Sequence, residues 1–366
     1  MRVKLEDVCE RESSNLKQSD IVGKTGQYPI YGAAGYIGNV DFYHQENPYI
    51  AIVKDDAGIG RTTLLPGKSS VIGTMQYLLP KRNVLPEYLC YVVRYMHLEK
   101  YFSGATIPHI YYRDYKNEEF NLESLERQVE IVNILGRIER LISCRQKEMS
   151  MLNELIKARF VELFGDPEIN NKEWPVYKLN ELCDIGSSKR IYQEEQSNNG
   201  VPFWRISDLV SKMDTGAADS GLFIPEQRYE ELSQQELVPK PGDILVTSRG
   251  TLGRCYIISK DDRFYFQDGM ISWLSKYKQG VTPLYIKHLF MTRGLERQIE
   301  GMQAGSTVAY LSIAMLKKLD IMLPDTMTQE QFAYFVQQVD KSKVAIQKAL
   351  DETQVLFDSL MQQYFG

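Results

Sequence analysis

Asn47-Pro48-Tyr49 falls one proline short of the Asn-Pro-Pro-Tyr tetrad with which amino-methyltransferases hold a flipped base, and no Phe-x-Gly-x-Gly cofactor loop precedes it. It reads as a turn entering a strand. Gly67-Lys68-Ser69 would need a glycine at position 62 to cradle phosphates as a P-loop, and that residue is Thr62. This string reads as a hairpin turn. Ser248, in Val246-Thr247-Ser248-Arg249-Gly250, lacks the first glycine of a nucleophile elbow. His44, His97, His109 and His288 are scattered, the five cysteines form no Cys-x-x-Cys pair, and no His-Glu-x-x-His occurs. Nothing assembles a nucleophile, a base and an oxyanion site. The expectation is a chain with no catalytic residues and no metal site.

Other polar clusters suit a different task, contact with a nucleic-acid duplex. Arginine can grip guanine and glutamine adenine through paired hydrogen bonds in the major groove, while hydroxyls and glycine amides suit phosphates. In the first half of the chain the candidates are Tyr36, Lys54, Arg61, Lys68, Thr74, Gln76, His109, Tyr111 and Arg113. In the second half they are Lys189, Arg190, Arg205, Ser248, Arg249, Arg254, Gln267, Thr307 and Tyr310. The formal net charge of −5 excludes a bulk-basic binder. Any DNA contact has to come from local clusters. Residues 326–366 hold 3 basic and 5 acidic groups, against 14 and 14 in residues 1–120, so the acidity sits outside the candidate clusters.

The elements that would position these clusters occur twice. Lys4-Leu5-Glu6-Asp7-Val8-Cys9 matches Lys178-Leu179-Asn180-Glu181-Leu182-Cys183, and Ile50-Ala51-Ile52-Val53 with Gly60-Arg61 matches Asp243-Ile244-Leu245-Val246 with Gly253-Arg254. Pro86-Glu87-Tyr88-Leu89 matches Pro283-Leu284-Tyr285-Ile286, Gly104-Ala105-Thr106-Ile107 matches Gly305-Ser306-Thr307-Val308, and Phe164-Gly165 matches Phe365-Gly366. The order is kept and the offset only grows, from 174 to 201 residues, as a duplication with insertions in the second copy requires. Each copy begins as an α+β module. Strand-like runs at Tyr49–Val53 and Met75–Leu79 precede a helix opening at Pro86, and runs near Ile244–Thr247, Tyr256–Ile258 and Ile271–Leu274 precede one opening at Pro283.

A long heptad pattern follows each module. The residues expected to pack along it are Ile131, Leu135, Ile138, Ile142, Met149, Leu152 and Ile156 in the first, and Val336, Val339, Ile346, Leu350, Phe357 and Leu360 in the second. Thr328-x-x-Gln331 resembles a capping box at the second start. Some forty helical residues would span about 60 Å at ~1.5 Å per residue. The expected fold is α+β, with two pseudo-twofold-related modules separated by two long antiparallel coiled-coil helices.

Two α+β modules, each followed by a heptad helix, resemble the specificity subunit of type I restriction-modification systems over essentially the whole chain. The Lys-Leu-x-x-x-Cys openings carry the resemblance, with Lys240-Pro241-Gly242-Asp243-Ile244-Leu245-Val246 ahead of a Gly-Arg loop. So do the Gly-(Ala/Ser)-Thr strings, the glutamines at the helix starts (Gln128, Gln331) and the Phe-Gly ends. Asn121-Leu122-Glu123-Ser124 departs from it, because the family places a proline before the first helix. The resemblance implies target recognition domains over 1–123 and 174–325, with spacer helices over 124–166 and 328–366. Each domain would read one half of a split site in double-stranded DNA. The helices would set the spacing and dock two methyltransferase subunits that bind S-adenosylmethionine, and motor-nuclease subunits would join them. This chain would hold no cofactor of its own. The charged N-terminus, the odd cysteine count and the lack of a long apolar run fit a cytoplasmic protein with no membrane contact. A non-catalytic coiled-coil scaffold that binds proteins would explain the repeat and the heptads equally well, but not the paired Gly-Arg loops.

Overall fold

Tyr49–Val53 is a strand of five residues, all of them buried. A strand buried on both faces needs a layer on each side, and that need organises the first half of the molecule. The structure, a computed structural model, describes residues 1–55, 58–103, 108–303 and 309–366. The chain divides into two units, Met1–Glu148 with Ala345–Gly366, and Met149–Val344.

In the first unit Tyr49–Val53 lies between Met75–Pro80 and Thr62–Leu65, with Cys9–Ser13 at the far edge of the sheet. Successive side chains point to opposite faces. Ile50, Ile52 and Leu78 join the core formed with the helix Pro86–Tyr95. Tyr49, Ala51, Val53, Met75 and Tyr77 face the other way, packing with Val71 and Tyr31 of a three-stranded sheet. That smaller sheet orders Gly35–Val40, Tyr28–Gly32 and Ser70–Val71, the last pair parallel. The helix opens on Pro86, where a missing N–H leaves no bond unmade, and buries Tyr88 through Val93.

The second unit repeats this topology. Asp184–Gly186, Ile271–Ser275, Ile244–Thr247 and Cys255–Ile257 form the four-stranded sheet in the equivalent order. Phe223–Ile224, Val201–Trp204 and Tyr265–Phe266 form the small sheet, again with one parallel pair. Ile244 and Val246 face the helix-side core, while Leu245 faces the other. Helices Ile206–Thr215 and Glu226–Gln234 are additions of this copy, and they account for the largest jump in the repeat offset.

The heptad segments are helices of 40 residues each, Leu125–Phe164 and Thr326–Phe365. They pack antiparallel, and each unit takes part of both. In the first unit Ile131 and Leu135 share the module core with Phe357, Leu360, Met361 and Phe365. In the second, Leu152, Ile156, Phe160 and Phe164 share it with Phe332, Val336 and Val339. Ile138 is also buried, whereas Ile142, Met149, Ile346 and Leu350 are half-buried. Within the first unit Arg145 donates to the Ala349 carbonyl. Phe160 and Phe164 fall outside the heptad series because they pack on the module's Tyr285 as well as on Phe332. A helix covering both a partner helix and a module buries a wider stripe than a two-helix seam does.

The helix starts correct two expectations. Thr328 does not cap the second helix. Asp325 does, accepting from the Thr328 N–H at 2.9 Å and from its hydroxyl at 2.7 Å, as suits a carboxylate facing the positive end of a helix. At the first start Ser124 takes this place, its hydroxyl accepting from the Arg127 N–H at 3.3 Å, so no proline is required. The partner of Gln128 is Gln329, not Gln331. Both glutamines are fully buried. Gln128 accepts from the Leu85 N–H at 2.8 Å and donates to the carbonyls of Glu123 (2.9 Å) and Asn83 (3.1 Å). Gln329 accepts from the Thr282 N–H at 3.0 Å and donates to the carbonyls of Gly280 and Pro324, both at 2.8 Å. Each glutamine ties the first turn of a long helix to the turn that starts the module helix.

Removing such a side chain strands several buried polar groups, each costing about 1–3 kcal/mol. Gln329→Ala is therefore expected to destabilise the protein by about 2–4 kcal/mol in urea denaturation. A loss below about 0.5 kcal/mol would deny the tie its role.

Candidate nucleic-acid interface

The end of each central strand is fixed by four backbone hydrogen bonds, and the same four occur in both units. In the first, Val53 N–H donates to Arg61 O (3.0 Å), Gly60 N–H to Val53 O (2.9 Å), Lys54 N–H to Thr74 O (3.0 Å) and Ile110 N–H to Lys54 O (3.0 Å). In the second, Thr247 N–H donates to Arg254 O (3.0 Å), Gly253 N–H to Thr247 O (2.9 Å), Ser248 N–H to Met270 O (2.9 Å) and Leu311 N–H to Ser248 O (3.0 Å). Three distant stretches of sequence thus meet at one strand end in each copy. The glycines are needed there: Gly60 and Gly253 have φ of 79° and 76°, the left-handed region that disfavours side chains.

The first frame brings together Lys54, Arg61, Thr74, His109, Tyr111 and Arg113. Lys54 pairs with Asp55 at 2.8 Å, and its ammonium pKa is lowered by burial and then by the nearby Arg11. His109 contacts the other Asp55 oxygen, and burial followed by the Lys54 charge lowers its imidazole pKa. Its ring lies 4.1 Å from that of Tyr111, and the Arg113 guanidinium sits 4.6 Å from the Tyr111 centroid. Tyr111 and Arg113 are exposed and form the outermost part of this cluster. Arg61 donates to the Ala33 carbonyl at 3.1 Å, which places it by the hairpin bearing the exposed Tyr36. Tyr36 itself rests edge-on against Tyr31 and donates to Asn39 at 3.2 Å.

The second frame carries Ser248, Arg249 and Tyr310, with the Arg249 guanidinium 5.5 Å from the Tyr310 ring centroid. Ser187 links this region to the Gln267–Met270 loop, donating to the Ile271 carbonyl at 3.0 Å and accepting from the Gly269 N–H at 3.3 Å. Lys189 and Arg190 follow on the surface, with Arg190 donating to Asp268 at 2.9 Å. Half-buried Gln267 donates its backbone N–H to the Trp204 carbonyl at 2.9 Å, beside Arg205, which lies 3.7 Å from Asp208.

Four candidates depart from the expectation of an exposed reader. Gln76 is buried and its amide donates to the Tyr115 hydroxyl, because it faces inward from a central strand. The Ser248 side chain is buried against Ser272, with the two hydroxyls 2.9 Å apart. Lys68 sits at the opposite end of the central strand, in a turn with φ of 52° near Glu46. Arg254 turns away from Arg249 and pairs with Asp214. Thr307 and the repeated strings 104–107 and 305–308 lie outside the described residues. Arg11, exposed on the strand Cys9–Ser13, was not legible as part of the first cluster, since the strand Met75–Pro80 separates it from the central one in the sheet.

Among the described residues no group of three or more His, Cys, Asp or Glu side chains could hold a metal ion, and no helix is long and apolar enough to cross a membrane.

A family model for the type I restriction modification DNA specificity domain matches residues 1–154 and 171–353. A proposed type I restriction enzyme specificity subunit of Haemophilus influenzae is 24% identical over 84% of this chain and 78% of its own length. The MjaVIII specificity subunit of Methanocaldococcus jannaschii is 25% identical over 86% of this chain and 78% of its own. In fold, the chain is similar to the S subunit of a type I restriction-modification system from M. genitalium, with a TM-score of 0.60, 14% identity, and coverage of 100% of this chain and 96% of that one. The two matched stretches coincide with the two copies of the repeat, and the chain belongs to the family of type I restriction-modification DNA specificity domains, which it carries in tandem.

Proposed function

We propose that this chain is the DNA-recognition subunit of a type I restriction-modification enzyme, and that each module reads one half of a split site in double-stranded DNA. The observation that carries this reading is the pair of matching backbone frames with different side chains mounted on them. A shared frame supports two readers of one kind, while Lys54, His109, Tyr111 and Arg113 on one and Arg249, Tyr310, Lys189 and Arg190 on the other support two different half-sites. Arginine stacked on tyrosine in both clusters suits contact with base edges and phosphates.

The 40-residue helices serve as spacer and as docking surface for two methyltransferase subunits. Exposed apolar side chains along them, among them Leu141, Met151, Leu155, Val344, Val355 and Leu356, support such docking. The methyltransferase subunits would carry S-adenosylmethionine, motor-nuclease subunits would cut unmodified DNA, and this chain would do no bond chemistry. The low net charge fits if partner subunits share the phosphate contacts.

Replacing residues 174–325 with the equivalent module of a relative is expected to change one half-site and leave the other intact, as read by methylome sequencing. Simultaneous change of both halves would refute independent reading. Arg249→Ala should cost about 1–3 kcal/mol of discrimination and relax only the second half-site, measured by competition with duplexes bearing single-base changes. Matching heptads inserted into both long helices lengthen each by about 10 Å. The tolerated gap between half-sites should then grow by about three base pairs, and an unchanged gap would remove the helices' role as spacer.

A further inference from the structure

The second unit contains a groove of about 630 Å³ where the helix Pro283–Phe290 meets the two long helices. Five cations line it, Lys157, Lys212, Arg254, Lys287 and Lys343, against the single lining carboxylate of Asp340. Four of the five have a carboxylate nearby: Lys157 with Glu154 at 2.8 Å, Lys343 with Asp340 at 3.3 Å, Lys212 with Asp262 at 3.6 Å, and Arg254 with Asp214. Among the described residues Lys287, which is half-buried, has none within ion-pair distance. Burial, then Lys287 and Lys343, push the neighbouring His288 imidazole down to about 4, so it is neutral at pH 7 beside uncompensated positive charge.

The equivalent groove of the first unit, of about 450 Å³, has its central carboxylate matched by its own side chains. There Tyr91 donates to Glu139 at 2.6 Å, and Arg94 donates to the other carboxylate oxygen at 2.8 Å. The repeat places Lys287 where the first copy has Cys90, and His288 where it has Tyr91. Both copies have the groove, and the second carries a cation without a carboxylate partner among the described residues.

Resting on the split-site reading above, we infer that this groove holds backbone phosphate of the DNA flanking the second half-site, through Lys287 and Lys343. Ammonium groups on flexible stems act on phosphate as point charges, whereas carboxylates are better gripped by an arginine fork, and the one arginine present is already engaged. Protein partners are usually anchored by aromatic and arginine side chains, and the two that line this groove are engaged, Arg254 with Asp214 and Tyr256 through its hydroxyl with Asp262 at 2.7 Å. The groove also adjoins the reading surface. Arg254 ends the loop that begins at Ser248 and Arg249, so the two sites are opposite ends of one short segment.

The test uses the full chain, alone and assembled with its methyltransferase subunits. The double variant Lys287→Gln/Lys343→Gln keeps most of each stem and removes both charges, while Lys287→Arg/Lys343→Arg keeps the charges. Binding is measured against salt on a cognate and on a scrambled duplex. The Gln variant should bind both duplexes roughly three- to tenfold more weakly. Its plot of log affinity against log salt should flatten by about one for each phosphate no longer neutralised, and the methylated motif should not change. The Arg variant should stay close to wild type. Unaltered affinity and slope in a normally assembled Gln complex would overturn the inference. So would failure to assemble by a variant that melts like wild type, which would assign the groove to an acidic protein surface. A wild-type complex indifferent to DNA sequence would defeat the split-site reading, yet the slope on scrambled DNA would still judge the groove.

Discussion

Each four-stranded sheet has an apolar face that something must cover, and in both units the cover includes a module helix that opens on proline and a stretch of each long helix, joined in the second by Leu295 and Ile299 of the helix Arg293–Gly301. Burial of apolar surface is the dominant favourable contribution to folding. The long helices alternate apolar with charged positions and would gain little by themselves. Their ends are held because Phe164 and Phe332 complete one core while Phe365 and Ile131 complete the other. The buried glutamines add direction to this non-directional force by fixing where each long helix starts against its module.

Much of this was legible in the sequence because it is periodic or repeated. The five-residue apolar run at Tyr49, the prolines at 86 and 283, and the 3–4 spacing of the heptads each have one structural reading. Harder to read was whatever depends on which way a side chain faces once three segments converge. Gln76 and Ser248 look like polar readers in a string of letters, but Gln76 on an inner strand and Ser248 just past the end of one both point into the protein. Arg254 shares a loop with Arg249 and faces a different groove. Gln329 was hidden by its neighbour Gln331, since burial and not residue type separates the two.

The candidate interface separates a constant part from a variable one. Backbone hydrogen bonds do not depend on side-chain identity, so the frame around Val53 and Thr247 survives while the positions it displays diverge. A strict demand remains for glycine where φ turns positive, as at Gly60 and Gly253. A scaffold of this kind can change what it recognises without repacking its core. The second copy has gone further, adding one helix between two strands of its small sheet and another before its central strand.

The division of the chain has a consequence for its birth on the ribosome. Met149–Val344 is continuous, so that unit is synthesised in one stretch. The other unit needs Ala345–Gly366 to close its core, with Phe365 packing against Tyr88. Synthesis runs from the N-terminus. Met1–Glu148, made first, must therefore wait with its core incomplete until residues 345–366 have been added.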